Sequence, residues 1–199
     1  MSMWKVKLVI WGMAAVAVLL SGCSVAEKAE RQSSELAVGE GNQRNLAEVS
    51  LQLLKGIMES AKEGRIKGVD MPLGSTYGEV TSMYGQPKTI GNNECWTYSY
   101  EHSKSAAAFY YEHDSCNPEA APLQNETIVN QIAVSPEFYG VPLSIDEVKQ
   151  ALGNPDEEFT SEAYGGHYLV YKIDSVQLRF VAEEDASSQQ IYQISVSRI

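Results

Sequence analysis

Cysteine has the most distinctive chemistry of any residue type in this chain, and it occurs three times. Cys23 follows Leu20, Ser21 and Gly22, which is the pattern of a bacterial lipobox. In that motif, small residues let the signal peptidase reach the bond before an acylated cysteine. We therefore predict that Cys23 is lipidated.

The residues before Cys23 have the order of charges and apolar residues that is typical of a secretory signal. Lys5 and Lys7 give a positive start, and Leu8–Leu20 is an apolar run that is short for a membrane span. Residues 1–22 are thus predicted to be a lipoprotein signal peptide, and the mature protein to be lipid-anchored at the cell membrane, facing the extracytoplasmic side. The alternatives are an uncleaved membrane anchor and a buried apolar helix that ends in cysteine.

Cys95 and Cys116 remain once Cys23 is acylated, and disulfides persist in an extracytoplasmic compartment. We expect these two cysteines to be bridged because that compartment is oxidising. A bridge that closes a loop of about 21 positions would stabilise the fold by about 3 kcal/mol. Two unpaired thiols are the alternative.

Side chains that could bind a metal ion are dispersed. None of the three histidines, His102, His113 and His167, has a partner at the spacing typical of metal ligands. The acids that could bind a cation follow two predicted strands: Glu112, Asp114, Glu183 and Asp185. Such charged runs usually mark solvated strand ends. We therefore predict no metal and no cofactor.

Motifs of catalysis are also missing from the sequence. The chain has no Gly-x-Ser-x-Gly elbow, no phosphate-binding Gly-x-x-x-x-Gly-Lys loop and no paired-histidine zinc helix. We therefore predict that the protein is not an enzyme.

The negative net charge of the chain argues against a polyanionic partner. The formal charge is −11, and removal of Lys5 and Lys7 with the signal leaves 13 basic residues against 26 acidic ones, a net of −13. A charge of this sign repels phosphates, so nucleic acid is not an expected partner. The lipid on Cys23 is expected to provide the membrane attachment.

The sequence contains the same pattern of a short capped helix twice. Thr76 and Ser144 can each cap a short helix, with a glutamate three residues later that can reach back to the cap. Gly85 and Gly153 can end the two helices in a left-handed conformation, and a proline follows each glycine two residues later.

Alternating residues after each helix predict strands. Trp96, Tyr98 and Tyr100 alternate with smaller residues, and three predicted strands follow each helix as an antiparallel meander. We expect an α+β fold in which an N-terminal helix and two tandem helix–meander repeats form a layered helix-on-sheet domain. The predicted boundaries are 23–44 for a flexible tether, 45–68 for the N-terminal helix, 69–137 for the first repeat and 138–199 for the second.

The N-terminal helix is predicted from one apolar stripe that ends near Gly64. The residues of the stripe are Leu46, Val49, Leu53, Ile57 and Ala61.

Tyrosine is abundant, with eleven copies, and alternation should place some rings outward. Tyr110 in particular is expected on the sheet face opposite Phe109 and Tyr111. The predicted interaction surface consists of this open face and the loop after Asp114, with the residues Tyr98, Tyr100, Tyr110, Asp114 and Asn117. Rings packed under the loop or the first helix are the alternative.

The repeated helix ending in Gly-x-Pro, followed by an aromatic strand, a Phe-bearing strand and a terminal strand, resembles the YjgB-like lipoprotein family of bacilli. That family is defined by a domain of unknown function, and the resemblance covers about Leu46 to Ile199. The chain is more distantly similar to the beta-lactamase inhibitor proteins and to small outer-membrane assembly lipoproteins. The resemblance implies a scaffold that binds proteins without catalysis. The function expected is a lipid-anchored extracytoplasmic module that binds a protein partner; the alternative is a surface lipoprotein that senses a small ligand or a cation.

The anchor can be tested by the substitution Cys23→Ala. Because the variant lacks the acylated residue, we expect it in the soluble or secreted fraction, whereas the wild type sediments with membranes. Retention of the variant in the membrane would contradict lipid anchoring.

Overall fold

The computed structural model describes residues 46–94, 96–117, 122–184 and 189–199. Its helices are α1, helical across residues 46–62, α2 (Tyr77–Tyr84) and α3 (Ile145–Leu152), with a 3₁₀ turn at Pro136–Tyr139. The described residues also contain eight strands: β1 (Pro87–Glu94), β2 (Thr97–His102), β3 (Ala108–Glu112), β4 (Gln131–Val134), β5 (Glu157–Thr160), β6 (His167–Ile173), β7 (Val176–Ala182) and β8 (Ile191–Arg198).

All eight strands form one antiparallel sheet in the order β1-β2-β3-β4-β8-β7-β6-β5. The α+β class is therefore confirmed. α2 and α3 are each followed by four strands, and β4 pairs with β8 at the centre of the sheet. From Gln43 to Ile199 the chain forms one compact unit.

Both short helices begin as predicted. The hydroxyl of Thr76 accepts from the amide of Glu79, and the Glu79 carboxylate accepts from the amide of Thr76. Ser144 and Glu147 form the same reciprocal pair at the start of α3. Each cap residue also forms an isolated bridge, Thr76 with Ile128 and Ser144 with Gln190, so each helix start is tied to the chain just before β4 or β8.

The helix ends differ from the expectation in one respect. Gly85 and Gly153 have φ of 80° and 84°, as a terminating glycine allows, but their ψ values of −177° and −169° are extended rather than left-handed helical. This region is essentially restricted to glycine. The chain therefore leaves each helix directly in a direction that starts a strand.

The core lies between the helices and one face of the sheet. In the first half, the inward side chains of β2 and β3 are mostly aromatic: Tyr98, Tyr100, His102, Phe109 and Tyr111. In the second half they are mostly aliphatic, and they include Leu169, Leu178 and Ile194. α1 joins the same core through Leu54, Ile57 and Ala61.

Three details of the predicted elements are wrong. Leu46 and Val49 were expected on the buried stripe of α1 but are 59% and 44% exposed, because the buried side runs through Ser50, Leu54, Ile57 and Ala61. Trp96 lies in the turn before β2 rather than in a strand. The edge strands β1 and β5 were not predicted, so each meander has four strands rather than three.

The predicted signal peptide and tether lie outside the described residues. No helix among the described residues is long and apolar enough to cross a membrane.

Loss of the α3 cap should be measurable as a loss of stability. Ser144→Ala removes the side-chain acceptor for the amide of Glu147, and we expect the free energy of unfolding to fall by about 1 kcal/mol. Gln150→Ala, at an exposed position of the same helix, is the matched control and should change stability by less than about 0.5 kcal/mol. Equal urea midpoints for the two variants would contradict the capping role.

Candidate functional site

The face of the sheet opposite the helices has small side chains at its centre. Ala133 of β4 and Ser195 and Ser197 of β8 point to this face, because they alternate with the inward Ile132, Val134, Ile194 and Val196. Larger side chains stand on the strands to either side.

A groove of about 1240 Å³ runs across this face. Among its described lining residues, Thr97 and Glu112 belong to β2 and β3, while Phe159 and Tyr168 belong to β5 and β6. The groove therefore crosses most of the sheet. It is larger than the roughly 300–1,000 Å³ that is usual for a small-molecule pocket.

Aromatic rings form one wall of the groove. Phe159 and Tyr168, opposite each other on β5 and β6, stack with ring centroids 5.1 Å apart and planes 2° from parallel. Tyr164 is 65% exposed, and Phe159 and Tyr192 are 46% and 44% exposed. Exposed rings grouped in this way are typical of a recognition surface.

Amide and hydroxyl groups form the floor. Arg179 donates through Nη2 to Oε1 of Gln131, two strands away. Gln177 donates to Oγ of Ser197 at 3.0 Å, and Gln193 donates to the hydroxyl of Tyr110 at 3.4 Å. These groups place hydrogen-bond donors and acceptors on the open face.

A smaller cleft of about 570 Å³ adjoins the groove and shares Thr97 and Glu112 with it. Its other lining residues include Trp96 and Asp114. Trp96 has a φ of 83°, which is rare for a bulky residue, and its carbonyl accepts a hydrogen bond from the amide of His113 at 2.6 Å. This backbone turn leaves the indole 52% exposed beside two exposed carboxylates.

The predicted interaction surface needs correction at three tyrosines. Tyr98 and Tyr100 are 1% and 3% exposed because they point into the core, where the Tyr98 hydroxyl donates to the carbonyl of Cys116 and the Tyr100 hydroxyl lies 2.6 Å from Nε2 of His113. Burial raises the pKa of Tyr100 to about 12. Tyr110 does point to the open face, but neighbouring side chains leave it only 5% exposed.

The loop residues of that prediction are at the surface. Asp114 and Asn117 are both exposed, and Asp114 lines the acidic cleft. Sequence reasoning missed Phe159, Arg179 and Tyr192 in the groove. The signal for Phe159 is its register with Tyr168, which is visible only once β5 is recognised as a strand.

The four acids considered for cation binding cannot form one site. Tyr110 of β3 pairs with Gln131, which pairs with Ser197 and through it with Gln177 at the beginning of β7. The C-terminal end of β3, with Glu112, therefore lies at the opposite end of the sheet from the C-terminal end of β7, with Glu183. Asp185 lies outside the described residues. Within the described ranges, no three His, Cys, Asp or Glu side chains are grouped so that they could hold a metal ion.

Cys116 is disulfide-bonded. Cys95 and Cys23 lie outside the described residues, so the pairing of Cys116 with Cys95 and the lipidation of Cys23 stay predictions.

The strand that carries Phe159 is held by charges on its other side. Oε1 of Glu158 accepts from Nζ of Lys149 at 2.7 Å and lies 2.8 Å from Nε2 of His167. Thr160 contacts the other ring nitrogen of His167 at 3.1 Å. Hydrogen bonds from Lys149 and then His167 hold the pKa of Glu158 below its usual value. This network joins α3, β5 and β6 behind the aromatic wall.

The fold and the groove together define an α+β module with one helix-covered and one open sheet face. Residues 54–197 match the family described as a domain of unknown function, DUF4309, so the chain belongs to that family. The predicted resemblance to the YjgB-like family is thereby confirmed. The more distant resemblance to beta-lactamase inhibitor proteins stays a prediction.

A solved structure from the same family supports this fold. The crystal structure of a DUF4309 family protein, YjgB, from Bacillus subtilis subsp. subtilis strain 168 matches with a TM-score of 0.53 at 15% sequence identity, covering 75% of this chain and 97% of that one. A cysteine-rich secretory protein from Staphylococcus aureus subsp. aureus Mu50 gives a TM-score of 0.38 at 10% identity, covering 63% of this chain and 43% of that one. A comparison with curated proteins finds no match. The family has no assigned catalytic activity.

The Glu158 network predicts a pH dependence of stability. Because the pKa of Glu158 is lower in the folded than in the unfolded state, its contribution is complete above the ordinary value of 4.5 and is lost as the pH falls through the folded value. Glu158→Gln should lower the free energy of unfolding by about 0.5 kcal/mol at pH 7, as is usual for a partly exposed ion pair, and by nothing near pH 2.

Urea unfolding between pH 2 and pH 7 measures this difference, with Glu162→Gln at an exposed turn position as the control. A difference between wild type and Glu158→Gln that stays constant with pH would contradict the electrostatic origin.

Proposed function

We propose that this protein is a lipid-anchored, extracytoplasmic, non-catalytic module that binds a protein partner through the open face of its sheet. The observation that carries the proposal is the groove across that face, with its exposed aromatic wall and polar floor. Interfaces are enriched in such rings, which combine a large apolar area with a polar tip.

The distribution of exposed apolar residues supports this face as the interface. Five exposed large apolar residues line the one groove: Ile128, Phe159, Tyr164, Tyr192 and Ile199. Single exposed apolar residues are normal on a protein surface, whereas several that line one groove favour an interaction site. The size and openness of the groove favour a macromolecular partner over a small ligand.

The lining chemistry supports binding rather than catalysis. Carboxamides, hydroxyls and aromatic rings make up most of the groove, and these groups recognise a partner by contact and hydrogen bonding. The cell address is proposed from the lipobox at Cys23 and the signal before it. A lipid at Cys23 and a tether over residues 23–44 would hold the module outside the membrane, with its open face accessible.

Site-specific photo-crosslinking in intact cells tests the proposal. A photoreactive amino acid is introduced at Ile128 or Tyr192 on the open face, each 44% exposed, or at Met83 or Leu46 on the helical side, 46% and 59% exposed. We expect discrete protein adducts, identified by mass spectrometry, from the open-face positions and none from the matched controls. Equal adducts from both sides, or none from the open face, would remove the proposed interface.

A further inference from the structure

The groove and the adjoining cleft differ in chemistry from one end to the other. At the end formed by β2 and β3, Trp96 stands beside Glu112 and Asp114. At the end formed by β5 and β6, Phe159, Tyr164 and Tyr168 are grouped together. Because the cleft and the groove share Thr97 and Glu112, the two ends belong to one continuous surface.

The first end has the chemistry of a receptor for a cationic side chain. An ammonium or guanidinium group is attracted to the face of an exposed indole and to nearby carboxylates. Trp96 supplies the ring, and Glu112 and Asp114 supply exposed carboxylates. Glu126, also exposed, lines the neighbouring part of the groove. The net charge of −11 adds attraction for a basic partner.

The other end suits apolar side chains. The stacked pair of Phe159 and Tyr168 offers ring surface, and Tyr164 and Tyr192 extend it. Between the two ends, Gln131, Gln177 and Gln193 point carboxamides to the open face. A carboxamide carries both a donor and an acceptor, as a peptide group does, so it can pair with a backbone that crosses the sheet.

The length of the surface sets the length of the occupant. Six inter-strand steps separate β2 from β5, which is about 29 Å at about 4.8 Å per step. The register also places Phe159 about six residues further along the strand direction than Glu112, roughly 20 Å, so the diagonal across the surface is about 35 Å. An extended polypeptide covers that distance with about eleven residues at roughly 3.3 Å each.

The two edge strands of the sheet are poorly suited to pairing with a strand of the partner. The partner is therefore expected to bind to the open face. β1 begins with Pro87, which has no amide proton, and its pairing with β2 has two register shifts. β5 is four residues long and carries Glu157 and Glu158. Both features disfavour a ninth strand.

We propose that the partner contributes an extended segment of about eleven residues with a lysine or arginine at one end, held by Trp96, Glu112 and Asp114, and apolar side chains at the other, held by the aromatic wall. This inference rests on the proposed function and names the chemistry of its partner.

Synthetic undecapeptides with blocked termini test the inference by isothermal titration calorimetry on the purified folded module. The first probe has two lysines at one end, a Ser-Gly spacer, and tryptophan and leucine at the other, and it is made in both orders because the direction of the chain is not specified. In the second probe glutamates replace the lysines, and in the third serines replace the apolar residues. A hexamer of N-acetylglucosamine probes for a glycan as the occupant. We expect the first peptide, in one order, to bind at least about tenfold more tightly than the other three probes.

Substitutions at each end of the surface test which part of the peptide that end binds. Glu112→Gln combined with Asp114→Asn should weaken the first peptide about fivefold and reduce the salt dependence of its binding. Glu112→Gln keeps the acceptor oxygen that Asn130 contacts at 3.3 Å. Tyr164→Ala should weaken the same peptide about tenfold without changing the salt dependence. The control Glu59→Gln with Glu63→Gln, at exposed positions in the last turn of α1 and just after it, should leave binding unchanged.

Peptides that bind with equal affinity whatever their charge and apolar content, or a hexasaccharide that binds more tightly than the first peptide, would overturn the inference. Absence of peptide binding together with specific crosslinks at Ile128 or Tyr192 would overturn the partner chemistry and leave the proposed function standing. Absence of both would remove the proposed function as well.

Discussion

The pairing of β4 with β8 is the contact on which the rest of the structure depends. It joins the four strands after α2 to the four strands after α3 in one sheet, through the register from Gln131 opposite Ser197 to Val134 opposite Ile194. On the inner face these strands contribute Ile132, Val134, Ile194 and Val196, all buried, so the junction is also the centre of the core. An eight-stranded sheet buries enough apolar surface on one side to leave the other side available for contacts.

The same two strands shape both faces in opposite ways. Branched side chains on the inner face fill the space under the helices, while the small Ala133, Ser195 and Ser197 on the outer face leave room for longer neighbouring side chains. Arg179 reaches Gln131 across β8, and Gln177 reaches Ser197. The polar floor of the groove is therefore built by side chains that lie across the junction.

Sequence reasoning predicted the elements with strong local signals. The capping boxes at Thr76 and Ser144 and the alternation of β2, β3, β4, β6 and β8 are readable because helix caps and half-buried strands have characteristic periods. β1 and β5 lack such periods. β1 contains Gly91 and two asparagines, and all four residues of β5 are exposed, so their strand character comes from pairing with a neighbour rather than from an apolar pattern.

The site was less predictable than the fold. Alternation assigned Tyr110 to the open face correctly, but it cannot say that adjacent side chains cover the ring. Alternation places the side chains of Tyr98 and Tyr100 on the same face of the sheet. Whether that face is buried or open depends on which side the helices cover. The groove itself depends on the side-by-side order of strands that are far apart in sequence, such as β3, β4, β8 and β7. No local pattern carries that information.

The position of Trp96 has an optical consequence. The chain has three tryptophans, and Trp4 and Trp11 both lie within the predicted signal peptide. Cleavage before Cys23 would leave Trp96 as the one strongly fluorescent side chain of the mature protein. Its indole is half exposed at the mouth of the acidic cleft, so its emission wavelength and quenching report on the polarity of that spot alone. The protein thus carries an intrinsic fluorophore at one end of its candidate binding surface, and occupancy can be followed without a label.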